Sequence, residues 1–235
     1  MTARAIRAIG GAASSPPSPS PPPHPRFSVI RAHRVLLSIN VEHPEPRKLR
    51  RAIEALEAGG VIAYPTDTVY GLGCDLLNKG AIERLYAIKG MDRSRPLAFV
   101  CPDLSDIAKY AVVENQVYRV LRRFLPGPYT FILPATREVP KLVQMKRKNV
   151  GIRVPACEVT RALARELGRP IISSTAARTG HDPMVDPAEI DAEFKGLALV
   201  LDGGAGGRLP TSVIDLTTTP VEIVREGAGD VEEFR

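Results

Sequence analysis

The sequence predicts an α/β domain in which helices flank both faces of one mixed β-sheet. Short apolar runs bounded by Gly, Pro and Asn alternate with segments of helical periodicity, the order typical of three-layer α/β proteins. The last predicted strands follow one another closely, which favours antiparallel neighbours beside parallel ones. About 200 residues with this pattern are enough to bury a core of normal size.

The N-terminal segment differs in composition from the rest of the chain. Residues 1–33 contain the run AASSPPSPSPPPHP, which cannot build a packed core, and we predict a disordered Pro/Ser/Ala-rich extension followed by a domain over 34–235. The segment bears arginines and no acids, as organellar transit peptides do, but its proline density opposes an amphipathic helix. Plain disorder, or an upstream start codon chosen in error, is therefore the favoured interpretation over a targeting segment.

In the first half of the domain, helices are predicted where helical periodicity lies beside a capping or stop residue. Asn78 caps one helix and Gly90 ends it, while Gly59 with Gly60 ends the helix before it. The predicted elements are a strand from Val35 to Ile39, a helix at 47–58, a strand at 61–64, a helix after Asn78, a strand at 97–101, a short helix opened by Asp103 and Asp106, and a helix over 117–124.

The second half follows the same alternation until its last three strands. Asp186 followed by Pro187 is a capping residue with proline at the first helical position. The predicted elements are strands at 130–133 and 151–154, a helix at 158–167, a strand at 170–173, a helix after Asp186, and strands at 198–202, 211–216 and 221–226.

Composition limits the classes of function. Apolar residues are 44% and charged residues 25%, which is ordinary for soluble proteins, and no run approaches the roughly 18 apolar residues of a membrane span. We expect a cytoplasmic protein with no membrane partner. The net charge is +6, but residues 1–41 carry five arginines and no acid, so the remainder is nearly neutral and any polyanion site must come from local clustering.

Cysteine and histidine spacing argues against metal chemistry. The three cysteines lie far apart without any ligand spacing, and we expect them to be reduced and mostly buried. The four histidines fall in predicted loops or in the N-terminal segment, so neither a metal site nor a histidine-based triad is predicted. The glycine-rich DGGAGG (202–207) is not a Walker A pattern, and a flexible connector is favoured over a phosphate-binding loop.

The densest chemical signal is PTDTVYGLG (65–73), directly after a predicted buried strand. Its threonines and Asp67 offer hydroxyls and a carboxylate, and its glycines permit close backbone approach. The alternative is a polar turn whose side chains satisfy local backbone groups, and the pattern leaves both interpretations open.

Cations form the second signal. Lys89 ends a predicted helix, and Arg93 and Arg95 follow in KGMDRSR, which fits either a clamp on nucleotide phosphates or simple stabilisation of the helix dipole. Arg153 lies in an otherwise apolar strand, where an arginine is rarely buried without a partner or an anion. Together with Arg225 and hydroxyls at strand ends, these residues indicate one crevice for an anionic ligand. The hydroxyls are Thr130, Ser173, Ser174, Thr175, Thr211 and Ser212.

Taken in order, several segments resemble the YrdC/YciO family of threonylcarbamoyl-AMP synthases, and the spacing through KGMDRSRPL is closer to the YciO branch. The resemblance covers roughly residues 45–235 and implies a YrdC/RibB-like three-layer fold with a large twisted mixed sheet flanked by helices. The matching segments are GGVIAYPTDTVYGLG, AIKGMDRSRPLAF, LPGPYTFIL, VGIRVP, PIISSTA, PTSVIDL and VREGAGD.

The resemblance implies a nucleotidyltransferase reaction. Family synthases join L-threonine, bicarbonate and ATP, with Mg²⁺ expected beside the nucleotide, into threonylcarbamoyl-AMP and pyrophosphate for the threonylcarbamoyladenosine modification of tRNA. By the family pattern Thr68, Arg153 and Ser212 hold threonine, and Lys89 and Arg153 are catalytic. The ATP-binding residues implied are Lys89, Arg93, Thr130, Thr175 and Arg225.

Three positions depart from the synthase pattern. The usual Lys-x-Arg reads Lys89-Gly90-Met91, the usual Ser-x-Asn reads Thr175-Ala176-Ala177, and a family His is Val100. Arg93 or Arg95 is a candidate replacement for the missing Arg, whose loss would slow the reaction by about 10²–10³. The alternative function is therefore a YciO-type protein that binds double-stranded RNA or tRNA with weak or no synthase activity. The basic run at 146–148 fits contact with nucleic-acid phosphates or a solvated face.

Overall fold

The computed structural model describes residues 36–235. The predicted N-terminal extension lies outside the described residues. Ten strands are present: β1 Leu36–Ser38, β2 Ile62–Tyr64, β3 Gly71–Asp75, β4 Ala98–Val100, β5 Tyr129–Pro134, β6 Asn149–Arg153, β7 Ile171–Thr175, β8 Leu199–Asp202, β9 Ser212–Asp215 and β10 Glu222–Arg225. The α-helices are α1 Pro46–Glu57, α2 Lys79–Lys89, α3 Ile107–Tyr110, α4 Asn115–Phe124, α5 Glu158–Leu167 and α6 Pro187–Glu193. Two short 3₁₀ turns span Lys146–Lys148 and Glu232–Phe234.

All ten strands belong to one mixed sheet, as predicted, in the order β1-β8-β2-β3-β7-β4-β6-β5-β9-β10. The pairs β1/β8, β2/β8, β4/β6 and β5/β9 are parallel. The pairs β2/β3, β3/β7, β4/β7, β5/β6 and β9/β10 are antiparallel. The prediction that the last strands include antiparallel neighbours is confirmed by the pair β9/β10.

Alternating residues of the sheet feed two separate cores, which makes the domain three-layered. In β2, Ile62 and Tyr64 pack with α1 and α5, while the neighbouring Ala63 packs with α2, α4 and α6 on the other face. Each face therefore has its own helical layer, because successive strand residues point to opposite sides of the sheet.

Local signals placed the helices correctly. The side chain of Asn78 accepts a hydrogen bond from the backbone N–H of Ala81 at 2.9 Å, and Gly90 ends α2 in the left-handed conformation with φ 59°. Asp186 likewise accepts from the N–H of Ala188 at 2.8 Å, with Pro187 opening α6. These contacts satisfy backbone groups that a helix end leaves without partners.

The segment 65–73 differs from its predicted loop character, because its last three residues belong to strand β3. Gly71 and Gly73 are required there by close packing against the ring of Tyr64. A Cβ on Gly73 would lie 2.6 Å from Cγ2 of Ile171 and 2.8 Å from Cε1 of Tyr64. Glycine at these positions lets β3 lie between β2 and β7. In the sequence alone, the same glycines are equally consistent with a turn.

One face of the sheet is only half covered. Helices α1 and α5 cover β8, β2 and their neighbours, whereas β4, β5, β6 and β9 carry open positions on the same face. The register sets Val100 beside Arg153 and Ala98 beside Gly151. The small side chains of Ala98 and Gly151 leave room above the sheet at this point.

Candidate functional site

A cavity of about 440 Å³ occupies the uncovered part of that sheet face. Its lining residues on β4, β5 and β6 alternate along each strand, so they share one face. Several of the predicted cations and hydroxyls lie around the cavity at strand ends: Arg153, Thr175 and Arg225 are the last residues of β6, β7 and β10, and Thr211 directly precedes β9. The cavity is lined by Arg95, Pro96, Leu97, Ala98, Val100, Thr130, Ile132, Met145, Gly151, Arg153, Ser173, Ser174, Thr175, Thr211, Val213, Val224 and Arg225.

The lining is cationic. Arg95, Arg153 and Arg225 contribute three guanidinium groups, and none of the described residues that line the cavity is acidic. Partial burial, and then the positive charge of Arg153, lower the pKa of Arg225. Two guanidinium groups close enough to repel one another, beside five hydroxyls, form a site that favours an anion.

Arg153 is held by the loop between β2 and β3. Its Nη2 donates to Oγ1 of Thr66 at 3.1 Å, to Oδ1 of Asp67 at 2.5 Å and to Oγ1 of Thr68 at 2.8 Å. Arg153 and Thr68 are buried, at 8% and 4% exposure. The loop that leaves β2 thus fixes the direction of a guanidinium on β6, more than 80 residues away in sequence.

Arg225 is fixed from the other side of the cavity. Its Nε and Nη2 donate to the carbonyl of Thr211 at 3.0 and 2.8 Å. The hydroxyl of Thr211 lies 3.0 Å from that of Thr130. β5, β10 and the residue directly before β9 therefore supply a connected wall of hydroxyl and guanidinium groups.

Lys89 lies behind the wall of the cavity and is not among the residues that line it. Its ammonium donates to the carbonyls of Thr175 and Ala177, the latter at 3.0 Å, and it is 5% exposed. Burial, and then the charge of Arg178, lower the pKa of Lys89 to about 8. Arg153 and Arg225 thus share one cavity as expected, and Lys89 reaches that cavity through Thr175.

Three further expected site residues do not line this cavity: Thr68, which lines a neighbouring cavity of about 650 Å³, Ser212 and Arg93. Ser212 is fully buried, and its hydroxyl donates to the carbonyl of Gly229 at 2.5 Å and accepts from the N–H of Gly227 at 2.9 Å. Arg93 is largely exposed, 3.8 Å from Glu83, and lines an adjoining cavity of about 380 Å³. Ser212 does not reach the cavity because its hydroxyl joins β9 to the C-terminal segment. Arg93 does not line the cavity because the chain turns back after this residue.

Arg95 takes the place expected of Arg93. It lines both the main cavity and the adjoining one, so it stands where the two meet. The sequence offered both arginines after Lys89 without a means of choosing between them.

The side chain of Arg178 was missed altogether, although it donates to the carbonyl of Ile88 at 3.0 Å and to Oε1 of Glu193 at 2.6 Å. No local sequence pattern predicts tertiary hydrogen bonds of this kind.

The three departures from the synthase pattern have different structural consequences. Met91 packs against the larger core, so no cation at that position faces the cavity. Val100 lines the cavity beside Arg153 and makes that part of the wall apolar. Ala177 supplies only its carbonyl, which accepts from Lys89.

The glycine-rich segment 202–207 is a tightly packed connector. The N–H of Gly207 donates to the carbonyl of Thr68 at 2.7 Å, and that of Gly206 to the carbonyl of Val185 at 2.8 Å. A Cβ on Gly207 would lie 2.2 Å from the Thr68 oxygen. These backbone groups are already occupied, which fits the favoured interpretation over a phosphate-binding loop, although the connector is packed rather than flexible.

The remaining chemical groups are unremarkable. Cys74, Cys101 and Cys157 are free and buried, as expected. Across residues 36–235, His, Cys, Asp and Glu side chains form no group of three suited to a metal ion. Over the same residues no helix has the length and apolar character needed to cross a membrane.

The chain is similar in sequence and in fold to known proteins. The YciO protein of Escherichia coli K12 is 41% identical over 199 residues, covering 83% of this chain and 97% of that protein. Its crystal structure superposes with a TM-score of 0.81 at 38% identity, over 87% of this chain and all of that one. A threonylcarbamoyl-AMP synthase of Chromobacterium violaceum is 37% identical, over 74% of this chain and 91% of its own length.

A more distant relative was solved with a ligand. The Sua5 protein of P. abyssi, in complex with L-threonine, matches with a TM-score of 0.79 at 30% identity, over 85% of this chain and 59% of that one. The model of the Sua5/YciO/YrdC family, described as "Telomere recombination", matches residues 54–227. That span includes the β2–β3 loop, the cavity and both of its fixed arginines, and the chain therefore belongs to the Sua5/YciO/YrdC family.

Proposed function

We propose that the protein is a threonylcarbamoyl-AMP synthase-like enzyme that joins L-threonine, bicarbonate and ATP and releases pyrophosphate. The product would serve the threonylcarbamoyladenosine modification of tRNA. The observation that carries the proposal is the cavity in which Arg95, Arg153 and Arg225 converge without a lining acid. Support comes from relatives named threonylcarbamoyl-AMP synthase and from the Sua5 relative solved with L-threonine.

In this proposal Arg153 takes the threonine carboxylate. A guanidinium presents donors in a fixed fork that matches a carboxylate, and the β2–β3 loop already orients it through Nη2. Thr68 lies within that loop and stabilises the same guanidinium. Ser212 acts at a distance, because its hydroxyl holds the segment at Gly227 and Gly229 that follows Arg225.

ATP would occupy the side of the cavity formed by β5, β7 and β10. Arg225 and the hydroxyls of Thr130 and Thr175 face its phosphates, and Mg²⁺ would accompany the nucleotide as part of the substrate. Arg95 supplies the charge that the family pattern places two residues after Lys89, with Arg93 at the outer end of the triphosphate. Lys89 donates to the carbonyl of Thr175, which lines the cavity, and adds a positive charge behind that residue.

The reaction needs no covalent enzyme intermediate. The threonine nitrogen bonds to the carbon of bicarbonate with loss of water, which gives an N-carboxylate. An oxygen of that group bonds to the α-phosphorus of ATP while the bond from phosphorus to the pyrophosphate oxygen breaks. Positioning of the two reactants and neutralisation of charge on the leaving pyrophosphate are the contributions this cavity can make.

The test is product formation with all three substrates. The purified full chain with ATP, Mg²⁺, L-threonine and bicarbonate should form pyrophosphate and the AMP adduct in equal amounts, and neither without threonine. We expect Arg153→Ala to abolish the dependence on threonine and Arg225→Ala to lower kcat/KM for ATP about 100-fold. Arg119→Ala, an exposed arginine of α4 outside the cavity, is the matched control.

The second candidate function is binding of double-stranded RNA or tRNA with little or no turnover. Residue 91 is a methionine packed against the larger core, so the cation of the synthase pattern is absent there, which favours a protein with little or no turnover. Salt-dependent retention of RNA by a protein that forms no adduct would support this candidate and contradict the first. Adduct formation that Arg153→Ala leaves unchanged would remove the cavity from the reaction.

A further inference from the structure

The side chain of Tyr64 crosses one strand of the sheet to reach the cavity. Tyr64 lies on β2, which pairs with β3, and β3 pairs in turn with β7. The tyrosine hydroxyl donates to Oγ of Ser173 on β7 at 2.6 Å, although the two residues are 109 positions apart in the sequence. Tyr64 is fully buried in the covered half of the sheet face, whereas Ser173 lines the cavity. The contact therefore joins the core to the candidate site.

Two glycines of β3 make this crossing possible. A Cβ on Gly71 would lie 2.8 Å from Cζ and 3.0 Å from Oη of Tyr64, and it would lie 3.1 Å from Oγ of Ser173. A Cβ on Gly73 would lie 2.8 Å from Cε1 of the same ring. The ring thus packs directly against the backbone of β3, and a side chain at either glycine would move the hydroxyl away from Ser173.

The side chain of Ser173 lies on the face of the sheet that bears the cavity. Ile171, two residues earlier in β7, packs in the core that contains α1 and α5, and residues two apart in a strand share a face. Ser173 pairs with Ala98, which pairs with Gly151 on its other side. The Ser173 hydroxyl is therefore placed beside the open floor that these two small residues leave in the cavity.

The hydrogen bond from Tyr64 limits what the Ser173 hydroxyl can do. Burial raises the pKa of Tyr64 to about 12, against smaller effects of the bond to Ser173 and of the charge of Arg153, so the phenol keeps its proton at neutral pH. That proton occupies one acceptor position of Ser173 Oγ. A serine hydroxyl still has one proton to donate, and Ser173 donates it to none of the residues in 36–235. The proton is left for a ligand.

We propose that Tyr64 is a positioning residue, which holds the Ser173 hydroxyl as a hydrogen-bond donor to an anionic oxygen bound in the cavity. The lining fits such a ligand, because it contributes three guanidinium groups and its described residues include no acid. An amino-acid carboxylate and a nucleotide phosphate both carry oxygens of this kind. The inference rests on the proposed function, since it assigns two further residues to the same cavity.

A double-mutant cycle on the full chain tests the coupling between the two hydroxyls. Separate calorimetric titrations with L-threonine and with ATP and Mg²⁺ distinguish a carboxylate from a phosphate as the acceptor. Ser173→Ala should weaken one of these ligands about tenfold or more. Tyr64→Phe keeps the ring and removes only the hydroxyl, and it should weaken the same ligand about threefold. The double variant should bind that ligand as Ser173→Ala does, because Tyr64 acts only through Ser173.

Tyr129→Phe is the matched control. The Tyr129 hydroxyl also has one acceptor, the carbonyl of Asp230 at 3.0 Å, and the residue is buried without lining the cavity. Both Tyr→Phe variants should melt at a lower temperature, but only Tyr64→Phe should change ligand affinity. A further loss of affinity when Tyr64→Phe is added to Ser173→Ala would overturn the proposal. Should the Tyr64 variant not fold, unchanged affinity of Ser173→Ala for both ligands would overturn it as well.

The outcomes separate this inference from the proposed function. Coupled losses of affinity without formation of an AMP adduct support the inference and contradict the synthase proposal. Adduct formation by the wild-type protein, with a Ser173→Ala variant that keeps its affinity for both ligands, does the reverse. Wild-type protein that binds neither threonine nor ATP contradicts both.

Discussion

The ammonium of Lys89 is a charged group held in an unusual setting. It is buried beneath the cavity wall, bonded only to backbone carbonyls, with the guanidinium of Arg178 near it. Burial and a like charge both disfavour the protonated form, so its pKa falls to about 8 instead of the usual value near 10.5. The residue can therefore lose its charge in a pH range where ordinary lysines do not.

This setting predicts a pH dependence of the proposed reaction. Lys89 is charged below about pH 8 and neutral above it, so kcat/KM for ATP should fall above about pH 8, by up to about tenfold per pH unit. Pyrophosphate release measured from pH 6.5 to 9.5 gives the profile. Lys89→Arg keeps the charge throughout and should remove the decline, whatever its absolute rate. A decline that persists in Lys89→Arg would assign the ionisation to another group.

At the scale of elements, the site depends on two loops that touch through their backbones. The segment after β8 passes so close to the β2–β3 loop that Gly207 bonds to the carbonyl of Thr68. That carbonyl belongs to the residue whose hydroxyl accepts from Arg153. The position of the guanidinium on β6 therefore depends on a glycine more than 50 residues later in the sequence.

Gly207→Ala tests this dependence. The added Cβ would lie 2.2 Å from a backbone oxygen, so one loop must move, and we expect a loss of about 2 kcal/mol in unfolding free energy with a higher KM for threonine. Gly80→Ala, in the first turn of α2, meets nothing closer than 3.5 Å and should stabilise the protein by roughly 0.5 kcal/mol. Urea unfolding of both variants measures the contrast, and equal stability of the two would contradict the packing argument.

At the scale of the whole molecule, the sheet is held across its middle by the Asp75–Arg169 pair. Burial opposes the ionised form of Asp75, but hydrogen bonds from Arg169 and from the N–H of Leu77, with the charge of Arg169, hold its pKa below the ordinary value. The stabilisation is complete above the ordinary aspartate pKa of about 3.9 and is lost as the pH falls through the lower folded-state value.

Asp75→Asn should therefore lower the unfolding free energy at pH 7 by about 3 kcal/mol, because Arg169 loses its charged partner in a largely buried place. The difference from the wild-type protein should shrink as the pH falls below about 4, where the wild-type carboxyl also becomes neutral. Chemical denaturation at pH 7, 5 and 3 measures both quantities. A difference that stays constant across this range would show that the contribution is not electrostatic.

The sequence by itself determined the order of the helices and of every strand except β3, since periodicity, Asn78, Gly90 and Asp186 act over a few residues. It also determined which residue types bear on the site, because an arginine within an apolar strand needs an anion or a partner wherever it folds.

Only the tertiary structure decided how those residues combine. It brought Arg153 and Arg225 to one cavity, chose Arg95 over Arg93, and placed Ser212 and Lys89 behind the walls. It also made part of the 65–73 loop a strand and joined Asp67 to Arg153 by a single contact. The physical reason is that strand pairing joins residues far apart in the chain, and the register that sets them side by side is a property of the whole sheet.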